Sequence, residues 1–181
     1  MRYMIVFVVV MVISFGAYLA TYLGAFKTVT VSEAQQGPFK TLYVENVGPY
    51  HKVNKRIETV EKFMKEQGAP CGRTFGIYLD DPYQVEEARL RSEVGCLIET
   101  VPANLPEGFK VGEIPGRNYV VATFTGSPGI GPLKVYPRIE EYMQSKKLQH
   151  DGPVIEIYEI HSITEKAAMT TTYLFGAKEA K

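Results

Sequence analysis

The chain contains no tryptophan, three histidines and two cysteines in 181 residues, and its 20 basic and 20 acidic side chains cancel. His51, His150 and His161 are scattered, and neither they nor Cys71 and Cys96 fall at metal-ligand spacing. No metal and no cofactor is therefore expected. The two cysteines read as buried thiols, although an oxidising compartment would allow them to join. No block of like charge occurs, and neutralising many phosphates takes a basic surplus or patch, so nucleic acid is not an expected partner. Ser127, Ser145 and Ser162 lack the Gly-x-Ser-x-Gly setting of an activated nucleophile. The glycine-rich Gly126-Ser127-Pro128-Gly129-Ile130-Gly131 has no Lys-Ser/Thr after its last glycine and fits neither phosphate-binding pattern. Asp80-Asp81-Pro82 reads as a turn rather than a metal loop, and Arg89 and Arg91 read as pairing with the acids around them.

What the chain does have is one long apolar run. Met4 to Phe26 carries no charge, and at ~1.5 Å per residue it spans the ~30 Å hydrocarbon layer. Arg2 and Lys27 bracket it, and Tyr18 and Tyr22 stand near its C-terminal end, where amphipathic rings favour the interface. A cleaved signal peptide is the competing reading. Such apolar regions run only ~7–15 residues and end in an Ala-x-Ala-like site, which Leu23-Gly24-Ala25 matches poorly. The expectation is an uncleaved single-pass anchor over residues 1–27, with the side of the membrane undecided. Arg2 and the terminal amine pull one way, Lys27 and Lys40 the other.

Beyond Lys27, strands at period two alternate with helices at period 3.6. Strands are expected over 28–33, 39–47, 74–79, 93–99, 109–113, 119–125, 154–160 and 171–175. Helices are expected over 51–67, with Val53, Ile57, Val60 and Met64 inward, and over 132–147, with Leu133, Tyr136, Ile139 and Met143 inward. The second half repeats the first at a period near 80: Val31-Ser32-Glu33 answers Val111-Gly112-Glu113, Gly48 answers Gly126, and Gly76-Ile77-Tyr78 answers Glu156-Ile157-Tyr158. The fold class that follows is α+β. Two pseudo-repeats of a β-α-β-β module, about 28–100 and 109–176, form a curved antiparallel sheet within a domain over 28–181. Both helices pack on one face, and a cleft lies on the other.

Alternation then nominates a site. If Ile155 and Ile157 face the helices, Glu156 and Tyr158 lie on the opposite face, and by the repeat Tyr78 joins them with Gly76 opposite Glu156. Leu42 and Val44 match Val120 and Ala122 as core, which turns Tyr43 and Tyr119 toward the same cleft. The result is a carboxylate among four tyrosines. Partial desolvation would raise its pKa, ring faces would help it hold a cation, and it could serve as a general acid or base. The plainer alternative is a solvated glutamate on a sheet face that tyrosines merely cover.

Five segments carry a resemblance: Val47-Gly48-Pro49-Tyr50; Phe75-Gly76-Ile77-Tyr78-Leu79-Asp80-Asp81-Pro82; Leu90-Arg91-Ser92-Glu93-Val94-Gly95; Ile114-Pro115-Gly116-Arg117-Asn118-Tyr119; and Gly152-Pro153-Val154-Ile155-Glu156-Ile157-Tyr158. In this order they make the chain similar to the GyrI-like small-molecule-binding domains, over roughly residues 28–178. The resemblance implies the duplicated fold and ligand binding by Glu156 among rings that include Tyr158. It also implies, for some members, hydrolysis of cyclopropane-bearing compounds by a cleft glutamate. The expected function is a membrane-tethered binding module for amphipathic or cationic compounds. A hydrolase using Glu156, or a membrane adaptor with a vestigial cleft, stand as alternatives.

Overall fold

Among the described residues, the two periodicities resolve into eight strands and two sheet-packed helices after an N-terminal helix. The computed structural model describes residues 2–160 and 169–180. In order these are α1 (Arg2–Tyr22), β1 (Thr30–Gln36), β2 (Phe39–Val47), α2 (Asn54–Glu66), β3 (Thr74–Tyr78), β4 (Arg91–Leu97), β5 (Phe109–Ile114), β6 (Arg117–Thr125), α3 (Gly131–Ser145), β7 (Leu148–Ile160) and β8 (Met169–Glu179). The 21 residues of α1 bury none of their side chains, and the helix is long and apolar enough to cross a membrane. In α2 the expected stripe of Ile57, Val60 and Met64 is buried, with Val53 just ahead of it. In α3 the buried stripe is Gly131, Val135, Ile139 and Met143. Leu133, expected inward, is 73% exposed. The first turn is set by Gly131, where an added side-chain carbon would lie 2.2 Å from the Tyr173 hydroxyl. That close approach seats Gly131 on the sheet and turns Leu133 outward.

All strand pairs are antiparallel, in the order β1-β6-β8-β7-β3-β4-β2-β5. Each half thus contributes three adjacent strands, while its first strand, β1 or β5, crosses to the edge of the other half. This exchange forces the sheet to curl. β1 and β2 stand six spacings apart, ~29 Å in a flat sheet, yet only Gly37 and Pro38 join them, and their flanking Cα atoms can be at most about 11 Å apart. β5 and β6 are joined across the same gap by Pro115 and Gly116. The two turns touch: a side-chain carbon on Gly37 would come 3.1 Å from the carbonyl oxygens of Ile114 and Pro115.

Because the open sheet curls, its central strands bury side chains on both faces. The inner face holds Phe75, Ile114, Tyr119, Val121, Ile155, Ile157 and Leu174, with no helix among the described residues upon it. The outer face carries α2 over Leu42, Val44, Val94 and Cys96, and α3 over Val120, Ala122, Phe124, Tyr173 and Phe175. Cys96 is buried under α2, and the turn after that helix brings Cys71 over it with the Cα atoms 5.6 Å apart, joined as a disulfide. The two thiols expected from the sequence are therefore one cystine, since that spacing lies within the range a disulfide bridges.

Candidate functional site

The midpoint of the sheet is the β3–β7 pair, in which Gly76 stands directly across from Glu156. These are equivalent positions of the two halves, so the carboxylate rises from the pseudo-two-fold axis, in the furrow between α2 and α3. The repeat therefore supplies one acidic side chain and one glycine at its centre. The missing side chain matters, because the Tyr78 ring folds over Gly76. A carbon there would meet the Tyr78 hydroxyl at 3.0 Å and its Cζ at 3.1 Å.

Glu156 is 7% exposed. Tyr158 donates to its Oε2 at 2.9 Å, and Tyr136 on α3 donates a longer bond to Oε1 at 3.4 Å. Tyr78 and Tyr158 share a 2.7 Å hydrogen bond. Since the Tyr158 proton is committed to the carboxylate, Tyr78 is the donor. Tyr50 packs edge-on against Tyr78 with centroids 4.7 Å apart, and its hydroxyl donates to the Asp80 carbonyl at 2.8 Å. On the other side, Tyr136 meets Phe175 edge-on at 5.5 Å and Tyr173 at 6.3 Å. The Tyr173 hydroxyl is buried without a well-formed hydrogen bond, though Thr171 stands beside it.

Burial without a counter-ion sets the electrostatics. No ion pair found among the described residues includes Glu156. Desolvation raises its pKa from the ordinary 4.5 to about 7, against the opposing pull of the hydrogen bonds from Tyr158 and Tyr136. The surrounding phenols Tyr78, Tyr136, Tyr158 and Tyr173 are pushed up, first by burial and next by the neighbouring carboxylate, so all four remain neutral. A carboxylate of this kind can change charge near neutrality, attract a cation into a ring-walled site, or exchange a proton with a bound molecule.

The family model of the GyrI-like small molecule binding domain matches residues 30–175. The chain belongs to this family. None of the curated proteins compared with it matches the sequence. Among solved structures, the C-terminal domain of EcmrR is 15% identical, with a TM-score of 0.68 over 84% of this chain and 99% of that one. A hydrolase encoded by lin2189 from Listeria innocua is 14% identical, with a TM-score of 0.55 over 88% and 98%. SAV2435 bound to tetraphenylphosphonium is 11% identical, with a TM-score of 0.51 over 82% and 94%. At such identities the likeness is one of fold.

In this GyrI-like domain, three of the five residues nominated from sequence come together: Glu156, Tyr158 and Tyr78. Tyr43 and Tyr119 do not join them. Both lie with the inner-face cluster; the Tyr119 hydroxyl donates to the Pro115 carbonyl at 2.9 Å, and the Arg117 guanidinium lies over its ring. The correction concerns β7. Ile155 and Ile157 belong to the inner face, while Glu156 and Tyr158 lie on the face that carries the helices. Alternation separates two faces but does not say which one a helix covers, and here both are buried. Reading the isoleucines as the helix-facing set therefore inverted the strand. The sequence reading also left Tyr50, Tyr136 and Tyr173 out of the site. Tyr136 stood on the inward stripe expected for α3, and pairing that stripe with the Glu156 face would have found it.

Proposed function

We propose that the protein is a membrane-tethered receptor for amphipathic or cationic small molecules, with residues 1–27 as the anchor and 28–181 as the binding domain. Glu156, Tyr158 and Tyr78 would form the binding site together with Tyr136, Tyr173 and Tyr50. One observation carries the reading: a nearly buried carboxylate with no cationic partner among the described residues, enclosed by phenols. Burying a charge without compensation is costly, and a cation with apolar substituents would supply both the missing charge and ring contact. The tetraphenylphosphonium held by SAV2435 is a compound of this chemistry. Entry would require Tyr78 to swing off Gly76, carrying Tyr50 with it or away from it. The cystine supports an oxidising compartment for the domain, which leaves Arg2 and the terminal amine on the cytoplasmic side.

The test is calorimetric titration of tetraphenylphosphonium into the full chain in nanodiscs. Affinity should fall about tenfold per pH unit below pH 7, as the carboxylate takes up its proton, and should collapse in Glu156→Gln. Binding that is unchanged in the Gln variant would end this reading. A second reading, hydrolysis, draws on the same titration midpoint near 7, which suits a general acid–base group. Turnover of a cyclopropane-bearing substrate by the purified protein, lost in Glu156→Gln, would support it. Its absence across a panel would leave binding alone.

A further inference from the structure

The membrane helix is not joined to the domain by a loose tether. At its C-terminal end the Leu23 carbonyl accepts from the Ser127 backbone N–H at 3.1 Å. Gly24 sits so close to Gly126 and the Phe124 ring that an added carbon would lie 3.3 Å from each. Lys134, from the first turn of α3, donates its ammonium to the Ala25 carbonyl at 2.6 Å and to the Lys27 carbonyl. These carbonyls belong to the turn that follows the last residue of α1, and a cation is favoured near that negative pole. Among the described residues, the domain meets the anchor at the β6–α3 connection and the ends of the two elements that flank it.

Between β6 and Lys134 that surface is uncharged. Residues 126 to 133, Gly-Ser-Pro-Gly-Ile-Gly-Pro-Leu, carry no ionisable side chain, and none of them bonds to Glu156. Leu133 is 73% exposed and Phe26, at the helix exit, is 75% exposed. Pro128 and Gly129 are exposed between them in sequence. Beside Phe26 lies a hollow of about 460 Å³ walled otherwise by Lys27 and the threonines 28, 30, 123 and 125, hydroxyls and an ammonium of the kind that suit lipid headgroups. Apolar side chains exposed on a surface that adjoins an apolar helix end match a bilayer boundary.

We infer that the β6–α3 connection is a bilayer-contact surface, with Leu133 and the tip at Pro128-Gly129 dipping into the headgroup region beside Phe26. The occupant follows from continuity: the connection is held on both sides, by Gly126 and Ser127 before it and Lys134 after it, to the exit of the helix that would already lie in the bilayer. The inference rests on α1 being a membrane anchor. Its consequence is a domain held in one orientation on the membrane rather than swinging on a linker, with α3 fixed to the surface at its first turn and to Glu156 through Tyr136.

Native protein lacks tryptophan, so single insertions report without background. Full-length Leu133→Trp, Gly129→Trp, Val10→Trp and Tyr83→Trp would be placed in phosphatidylcholine vesicles. The lipid would carry bromine near either the headgroup end or the terminal end of one acyl chain. Val10→Trp should lose emission to the deep bromine, Leu133→Trp and Gly129→Trp to the shallow one, and Tyr83→Trp, on the exposed β3–β4 connection, to neither. Quenching at Val10 without quenching at positions 129 and 133 would overturn the inference and leave the anchor standing. No quenching at Val10 would remove the anchor and the inference together. A blue shift at Leu133 without bromine quenching would assign the surface to another protein copy, and equal quenching at Tyr83 would show indiscriminate adsorption; each refutes the proposal.

Discussion

Replacing Glu156 by Gln should make the domain more stable above neutral pH, even as it removes the group proposed to bind ligand. In the unfolded chain this carboxyl ionises near 4.5, and in the folded protein near 7. Between these values the native state still holds a proton that the unfolded state has released. Stability therefore falls as pH rises through that window and levels off above about 7. At 1.36 kcal/mol per pH unit, the cost at pH 8 is about 3 kcal/mol, which for a domain of this size corresponds to roughly 6–12 °C in Tm. Gln is close in shape, carries no charge, and keeps a carbonyl to accept the Tyr158 hydroxyl. The assay is thermal unfolding of the full chain and of Glu156→Gln from pH 4.5 to 8.5 in one detergent. The two curves should converge at the acid end and separate steadily until about pH 7, with the variant higher. A variant no more stable than the native protein at pH 8, or a gap that does not depend on pH, would refute the buried-carboxylate argument. A site that costs stability in its empty state is what a preorganised binding group produces.

Removing one donor should move the same titration. Tyr158→Phe deletes the 2.9 Å hydrogen bond that favours the ionised carboxylate, so the midpoint of both the stability curve and tetraphenylphosphonium binding should shift to higher pH. Tyr119→Phe strands the Pro115 carbonyl and should cost about 1 kcal/mol in chemical denaturation while leaving ligand affinity unchanged, because this ring lies on the inner face. Reducing the Cys71–Cys96 cystine, which spans 25 residues, should lower stability by about 3 kcal/mol on the chain-entropy account, read as a drop in Tm with reductant. Gly95→Ala should be among the most damaging single substitutions, at about 3 kcal/mol or more, because its new carbon would fall 2.0 Å from the Leu42 carbonyl oxygen and 2.8 Å from the Tyr43 Cα.

The sequence alone determined the element types, the apolar N-terminal helix, the internal duplication and the pairing of Gly76 with Glu156, because each depends on spacing along the chain. Residues 39–47 show this well: the strand expected there is the strand observed. The α2 stripe of Ile57, Val60 and Met64 was legible for the same reason, since 3.6-residue periodicity survives whatever the helix packs on. Alternation in β7 likewise put Glu156 and Tyr158 together on one face.

Which face that was, only the tertiary structure decided. The exchange of β1 and β5 between the halves curls the sheet until its inner side is dry, so the isoleucines of β7 fill the interior and the glutamate turns to the helices. Tyr43 and Tyr119 go inward with those isoleucines, and Tyr136 and Tyr173 take the places they were expected to fill around the carboxylate. The cystine was beyond the sequence for a related reason. Two cysteines separated in the chain by β3 and the long β3–β4 connection come within bridging distance only when α2 is laid on the sheet and the turn after it passes over β4. Local pattern specifies what a side chain shares with its own segment; its neighbours from elsewhere in the chain follow from how the segments close over one another.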